Sequence, residues 1–235
     1  MTKLGLIGGT GPESTLIYYQ QLTSRYAQTL HQDAFPPIMI ESLDVFQVLA
    51  FAQAQDYAGL TNYLVKGFEN LAQGGATFAA LTGITPHVVF DQVQERLSIP
   101  LVSMVDTTVD YLNQRGRKRV LLLGTYPTMH ENFVSQKLEN AGIEVIKPTE
   151  DQQQLIHQRI SDELEFGVVK ASTQYEFAQL CQAWQDQVGY DAVILGCTEL
   201  PLLFEKITLP VGKVDVMQVH IDNLLKRLVQ ETEEN

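Results

Sequence analysis

Cys197 lies in the run Leu195-Gly196-Cys197-Thr198-Glu199-Leu200-Pro201, where an apolar stretch ends and a helix-start pattern begins. A thiol in a strand-to-helix turn meets unpaired main-chain N–H groups and the positive end of the helix dipole, and both favour the thiolate. Such a thiolate can take a proton, and the thiol can deliver one. The other cysteine, Cys181, falls in Phe177-x-x-x-Cys181-x-x-Trp184, the spacing of one helix face. A cysteine packed there is inert. Cys197 is therefore the candidate acid/base, and Cys181 is core.

Three further turns have a similar make-up. Gly8-Gly9-Thr10-Gly11-Pro12 closes the apolar run Lys3 to Ile7, Thr82-Gly83-Ile84-Thr85-Pro86-His87 follows Phe78 to Leu81, and Gly124-Thr125 follows Val120 to Leu123. The segments repeat: Lys3 to Thr10 echoes Arg119 to Thr125, and Ala76 to His87 echoes Asp191 to Pro201, offsets of 116 and 115 residues by their first positions. Parallel α/β sheets bind ligands beyond the carboxyl ends of their strands, where helix amino ends offer free N–H groups. The repeat predicts two similar lobes turning four such corners into one cleft, suited to a small carboxylate. The expected substrate contacts are Thr10, Gly11, Thr85, Pro86, His87, Thr125, Thr128, Thr198 and Glu199.

Other chemistries lack their residues. The glycine run is not Gly-x-Gly-x-x-Gly, and neither a Gly-Lys-Ser/Thr phosphate loop nor a Gly-x-Ser-x-Gly elbow occurs. The two cysteines have no metal-ligand spacing, so no metal site is expected. The 28 acidic and 16 basic side chains leave a charge of −12 and argue against a nucleic-acid partner. No run of 18 apolar residues or signal-peptide pattern appears, so no membrane partner is expected, and free thiols point to the cytoplasm.

The elements alternate. Strands are expected at 3–7, 38–41, 78–81, 101–105, 120–123, 143–146 and 192–195, the last as the final core strand. Helices are expected from Pro12, over 57–73, near 86–97, over 129–140, 151–165 and 172–187, and from Val216 behind Asp215 as cap. Leu60, Leu64, Phe68 and Leu71 give the second of these its apolar stripe. Alternation of this kind implies right-handed crossovers and mainly parallel sheets. The expected fold is α/β with two pseudo-symmetric Rossmann-like lobes: 1–105 with a returning helix in 215–235, and 106–214.

Gly8-Gly-Thr-Gly-Pro-Glu-Ser-Thr15, Thr85-Pro-His87, Leu123-Gly-Thr125 and Gly196-Cys-Thr-Glu-Leu-Pro201 resemble the aspartate/glutamate racemase superfamily, its aspartate racemase branch above all, over nearly the whole chain. The resemblance implies two α/β lobes with the site between them, no cofactor, a homodimer, and two cysteines that exchange the α-proton of an amino acid from opposite faces. Here the family's first-lobe Cys-Asn-Thr is replaced: Gly83 stands at the cysteine position and Ile84 at the asparagine position, with Thr82 the nearest hydroxyl. Cys197 and Thr82 are the expected catalytic groups, with Thr85, His87 or an ordered water as alternatives to Thr82. No arginine lies between Arg25 and Arg96, and Glu41-Ser-Leu-Asp-Val-Phe46 is acidic where the branch commonly carries an arginine for a distal carboxylate. The leading expectation is a racemase of aspartate or a related acidic amino acid. A single-cysteine decarboxylase of the arylmalonate type, which also carries glycine at the first position, and a non-catalytic carboxylate-binding homologue are the alternatives.

Overall fold

The computed structural model describes residues 2–31 and 33–233. Its chain divides into two compact units, Met1–Thr107 with His220–Asn235 and Thr108–Val219.

In the first unit, β1 (Leu4–Gly8) leads to α1 (Pro12–Leu30), β2 (Ile38–Ser42), α2 (Val45–Gln53), α3 (Tyr57–Gln73), β3 (Phe78–Leu81), a 3₁₀ turn (Thr85–Val89), α4 (Phe90–Gln94) and β4 (Leu101–Val102). The strands form one parallel sheet in the order β2-β1-β3-β4. Every residue of β1 is buried, because β1 has a strand on either side and helices packed on the sheet. That is why it reads as a continuous apolar run rather than an alternating one. Leu60, Leu64, Phe68 and Leu71 of α3 are wholly or almost wholly buried against this sheet. Asp56 starts α3 by accepting from the Gly59 N–H at 2.8 Å, which satisfies one of the free donors of the first turn.

The second unit repeats the pattern. After α5 (Met104–Gln114), inside which the chain passes from one unit to the other, come β5 (Arg119–Gly124), α6 (Tyr126–His130), α7 (Ser135–Asn140), β6 (Glu144–Ile146), α8 (Glu150–Asp162), a 3₁₀ turn (Leu164–Phe166), α9 (Ala171–Gln187), β7 (Ala192–Gly196), α10 (Leu200–Phe204) and β8 (Gly212–Asp215). The sheet is again parallel, in the order β6-β5-β7-β8. Thr149 and Gln152 close a capping box at the start of α8.

The last helix, α11 (Val216–Glu233), returns the chain to the first unit. Asp215 Oδ1 accepts from the Met217 and Gln218 N–H groups at 2.9 and 3.1 Å and caps it. Fully buried His220 fixes its other end of contact: Nδ1 faces the Tyr18 hydroxyl of α1 at 2.7 Å, and Nε2 donates to the Val102 carbonyl of β4 at 3.1 Å.

Several expectations need correction. The strand foreseen at 101–105 stops at Val102, because Ser103 Oγ accepts from the Asp106 N–H at 3.0 Å and starts α5. The helix foreseen over 129–140 is broken between His130 and Ser135, where Glu131 is extended (φ −74, ψ 171). Lys147 Nζ donates to the Glu131 carbonyl at 3.1 Å and to Asn132 Oδ1 at 3.3 Å across that break. The helix near 86–97 is a 3₁₀ turn followed by the short α4. Three elements were not foreseen, α2, α5 and β8. The α2 helix buries only Val48, and β8 is an edge strand with only Val214 fully buried, so neither carries a full apolar pattern.

Candidate active site

In each sheet the chain order reverses between two neighbouring central strands, β1 and β3 in the first unit and β5 and β7 in the second. Such a reversal point opens a crevice at the carboxyl ends of the strands. The singled-out turns all lie there.

In the second unit, Gly124 and Gly196 pair in register at the ends of β5 and β7. A Cβ on Gly124 would stand 2.9 Å from the Gly196 carbonyl, and one on Gly196 would stand 2.9 Å from the Leu123 carbonyl. Only glycine fits either place. The fully buried Thr128 packs its methyl group over this pair, and its hydroxyl lies 3.0 Å from that of Thr125.

Cys197 follows directly and is 7% exposed. Its Sγ donates to Glu199 Oε2 at 2.8 Å, while the Thr198 hydroxyl donates to Glu199 Oε1 at 2.7 Å. Two successive side chains thus give both carboxylate oxygens a donor. Burial pushes the Cys197 thiol well above its ordinary range, the Glu199 charge pushes it further, and the Glu199 main-chain N–H opposes them. The expected thiolate is therefore a thiol at rest. The helix that follows has five residues, and its short dipole is outweighed by desolvation and a like charge.

A second carboxylate acts on this pair. Glu165, on the 3₁₀ turn whose Leu164 packs in the same core cluster as Cys197 and Leu200, is raised by burial and then by Glu199, and its charge adds to the upward push on Cys197. Nothing in the sequence pattern relates position 165 to 199. Cys181, by contrast, is wholly buried within α9, and burial pushes its thiol up to about 12.

In the first unit, Gly9 has φ +76, and a Cβ there would collide with the Leu43 carbonyl. Thr15 Oγ1 accepts from the Gly9 N–H at 3.0 Å and donates to the Gly11 carbonyl at 3.1 Å, holding the loop before α1. Gly11 itself is the N-cap residue of α1 and accepts the Ser14 hydroxyl at 2.7 Å. Thr82 is completely buried. Its hydroxyl donates to the Ile7 carbonyl at 3.2 Å and lies 3.3 Å from Thr15 Oγ1. The expected second acid/base is thus spent on the end of β1.

His87, expected at the substrate, is likewise occupied by the main chain. Nδ1 faces the carbonyls of Gly83 and Ile84 at 3.1 and 3.2 Å, and Nε2 accepts the Met104 N–H at 3.0 Å. The ring stacks on Phe90, with centroids 5.2 Å apart. Both ring nitrogens serve to join the turn after β3 to the start of α5. Pro86 is buried in the same 3₁₀ turn, and Thr85 is partly buried at its first position.

The registers also match Gly83 with Cys197. Leu81 pairs with Ile7, one residue before Gly8, as Leu195 pairs with Leu123, one residue before Gly124. Two residues on from Leu81 is Gly83, and two on from Leu195 is Cys197. Among the described residues, no three His, Cys, Asp or Glu side chains come together as a metal-ligand set, and no helix is long and apolar enough to cross a membrane.

Known proteins share this architecture. The chain is 33% identical to an aspartate racemase homologue from Pyrococcus horikoshii OT3, covering 97% of this chain and 99% of that one, with a TM-score of 0.85. A Yersinia pestis protein assigned as an Asp/Glu racemase is 27% identical and matches with a TM-score of 0.92 over 98% of this chain and 100% of that one. The broad specificity amino-acid racemase RacX of Bacillus subtilis (strain 168) is 26% identical over 219 residues, 90% of this chain and 92% of RacX. The sequence model of the Asp/Glu/Hydantoin racemase family matches residues 7–224, and the chain belongs to that family.

Proposed function

We propose that the chain is a cofactor-independent amino-acid racemase in which Cys197 moves the proton at the α-carbon and Glu199 exchanges the proton of the thiol. The observation that carries this reading is the 2.8 Å hydrogen bond from Cys197 Sγ to Glu199 Oε2 at the strand-end crevice of the second sheet. An α-proton beside an ammonium and a carboxylate is feebly acidic, so its removal needs a strong base and donors for the charge that develops. Burial supplies the first. A thiolate formed where its charge is poorly solvated is a stronger base than one in water. Glu199, which already accepts the thiol's hydrogen bond, is placed to take its proton as substrate binds and to return it afterwards. Within the second unit, Thr125 and Thr198, at the ends of the paired strands β5 and β7, are the substrate contacts beside Cys197.

Acidic amino acids, aspartate first, are the default substrates by family resemblance, and the breadth ascribed to RacX supports assaying a panel. The test is incubation in D₂O with each amino acid, reading α-deuterium and enantiomer ratio separately. The glycine at position 83 favours one second reading, a decarboxylase that protonates a planar intermediate from a single thiol, so an arylmalonate belongs in the panel. We further propose a homodimer, by the same resemblance, to be checked by light scattering, and a cytoplasmic setting, where the free thiol of Cys197 stays reduced.

A further inference from the structure

The short helix α6 carries Thr125 at its cap, and its Thr128 packs over the glycine pair that precedes Cys197. It has five residues, and so short a helix does not hold itself in water, because nucleation costs more than its few hydrogen bonds return. One side is fixed by burial, since Thr128 and Met129 are fully buried. The other side presents Tyr126 and His130, one turn apart and therefore neighbours on the helix surface.

That side is held by the Glu150 carboxylate at the start of α8. The Tyr126 hydroxyl donates to Glu150 Oε1 at 2.6 Å, and His130 Nδ1 lies 3.3 Å from Glu150 Oε2. The two rings stack with centroids 4.7 Å apart, so one carboxylate engages both. The Tyr126 hydrogen bond holds the Glu150 carboxyl below its usual range, and Gln154 and His130 add to it against partial desolvation. A bond to an ionised acceptor is shorter and stronger than one between neutral groups. Glu150 also stands on a firm base. Thr149 and Gln152 close the capping box around it, and Gln152 Oε1 accepts from Trp184 Nε1 at 3.0 Å. The same connection carries Lys147, whose Nζ grips the Glu131 carbonyl just past α6 at 3.1 Å. Residues 147–150 thus clasp α6 at both ends.

We infer that Glu150 is a positioning residue for the reaction: by holding Tyr126 and His130 it keeps the α6 turn in the orientation in which Thr125 meets the substrate. This rests on the racemase reading above, with Thr125 as a substrate contact within the second unit. Cys197 and Glu199 belong to the turn after β7, which the clasp does not hold. Loosening the clasp therefore weakens binding and spares the proton transfer.

The experiment compares wild type, Tyr126→Phe, Glu150→Ala, their double variant and Glu150→Gln, using an amino acid that wild type racemises. Tyr126→Phe and Glu150→Ala should each raise KM about fivefold, the upper size for one exposed charged contact, and leave kcat within about twofold. The double variant should bind no worse than Glu150→Ala, because both changes remove the same bond. Glu150→Gln keeps an acceptor for the Tyr126 hydroxyl and should recover most of the affinity. Partial unfolding alone would instead lower kcat and leave KM unchanged. A second measurement needs no substrate. The Met129 N–H donates to the Thr125 carbonyl at 3.1 Å, and its exchange with D₂O, followed by NMR, reports opening of the turn. It should be about fivefold faster in Tyr126→Phe and Glu150→Ala and close to the wild-type rate in Glu150→Gln. Unchanged KM in the two single variants, multiplied effects in the double variant, or equal Met129 exchange in all of them overturns the role of Glu150 and leaves the racemase reading intact. No racemisation of any amino acid by wild type overturns the racemase reading and the substrate role of the turn with it, whereas faster Met129 exchange in the two variants would still uphold the clasp.

Discussion

Gly83 and Cys197 hold the same station in two copies of one strand pattern, each two residues beyond the leucine that pairs with the penultimate residue of the neighbouring central strand. The second copy places a thiol there, and the first leaves the space to Thr10 Oγ1, 2.9 Å from where a Cβ would be. Restoring the thiol therefore takes two changes. Gly83→Cys alone must displace the Thr10 side chain and should gain little racemisation. Combined with Thr10→Ala, which removes the clashing hydroxyl and keeps the ordinary 3.6 Å contact to Cβ, it should racemise at least about tenfold faster than the single variant. Polarimetry on both purified variants checks this, and equal rates would refute it.

Replacing Glu199 separates its two effects on the thiol. Glu199→Gln removes the negative charge that helps hold the Cys197 thiol above its ordinary range, so alkylation by iodoacetamide should begin at lower pH than in wild type. It also removes the carboxylate base proposed to take the thiol proton, while leaving an oxygen that can still accept its hydrogen bond, so α-proton exchange should fall by about 100-fold or more. A thiol that titrates at unchanged or higher pH would show that the carboxylate does not act on it.

The two cysteines should answer differently to serine. Cys197→Ser is expected to abolish exchange with circular dichroism unchanged. Cys181→Ser lies in the core of the second unit, away from the strand ends, and should keep most activity at a stability cost of about 1 kcal/mol. Loss of activity in both, with both still folded, would count against the assignment of Cys197.

His220 should make stability depend on pH. Burial, then the nearby His87, push its pKa down to about 3, against an unfolded value of about 6.5. Between those two values the unfolded chain holds a proton that the folded chain does not, so stability is complete above about pH 6.5 and declines as the pH falls, by at most roughly 1.4 kcal/mol per unit. His220→Gln should flatten the slope between pH 6 and pH 4 in urea unfolding. Parallel slopes for variant and wild type would contradict the buried, unprotonated ring.

Much of the fold was legible because burial on both faces writes itself into composition. The runs at β1 and β3 and the stripe of Leu60, Leu64, Phe68 and Leu71 leave little choice of element. The edge strand β8 was not legible, since Gly212 and Lys213 are exposed and its pairing with β7 is made by main-chain atoms that any residue carries. At the site, residue types marked the turns but not their hydrogen bonds. Thr10, Thr15 and Thr82 are alike in sequence, and only the fold spends two of them on main-chain groups and leaves the third without a hydrogen-bond partner among the described residues. His87 was singled out for its chemistry, yet both its nitrogens are used to hold α5. The charge of Glu165 acts on the thiol because its 3₁₀ turn packs Leu164 into the core around Cys197 and Leu200, a relation with no local signature.

The central claim is that Cys197 moves an α-proton, and proton exchange into D₂O tests it most directly. Wild-type protein, incubated with both enantiomers of a panel of amino acids beginning with aspartate, should place deuterium at the α-carbon of at least one of them and interconvert its enantiomers, while Cys197→Ser does neither. Exchange that persists at the wild-type rate in Cys197→Ser, or no exchange from any amino acid by the folded wild-type chain, would contradict it.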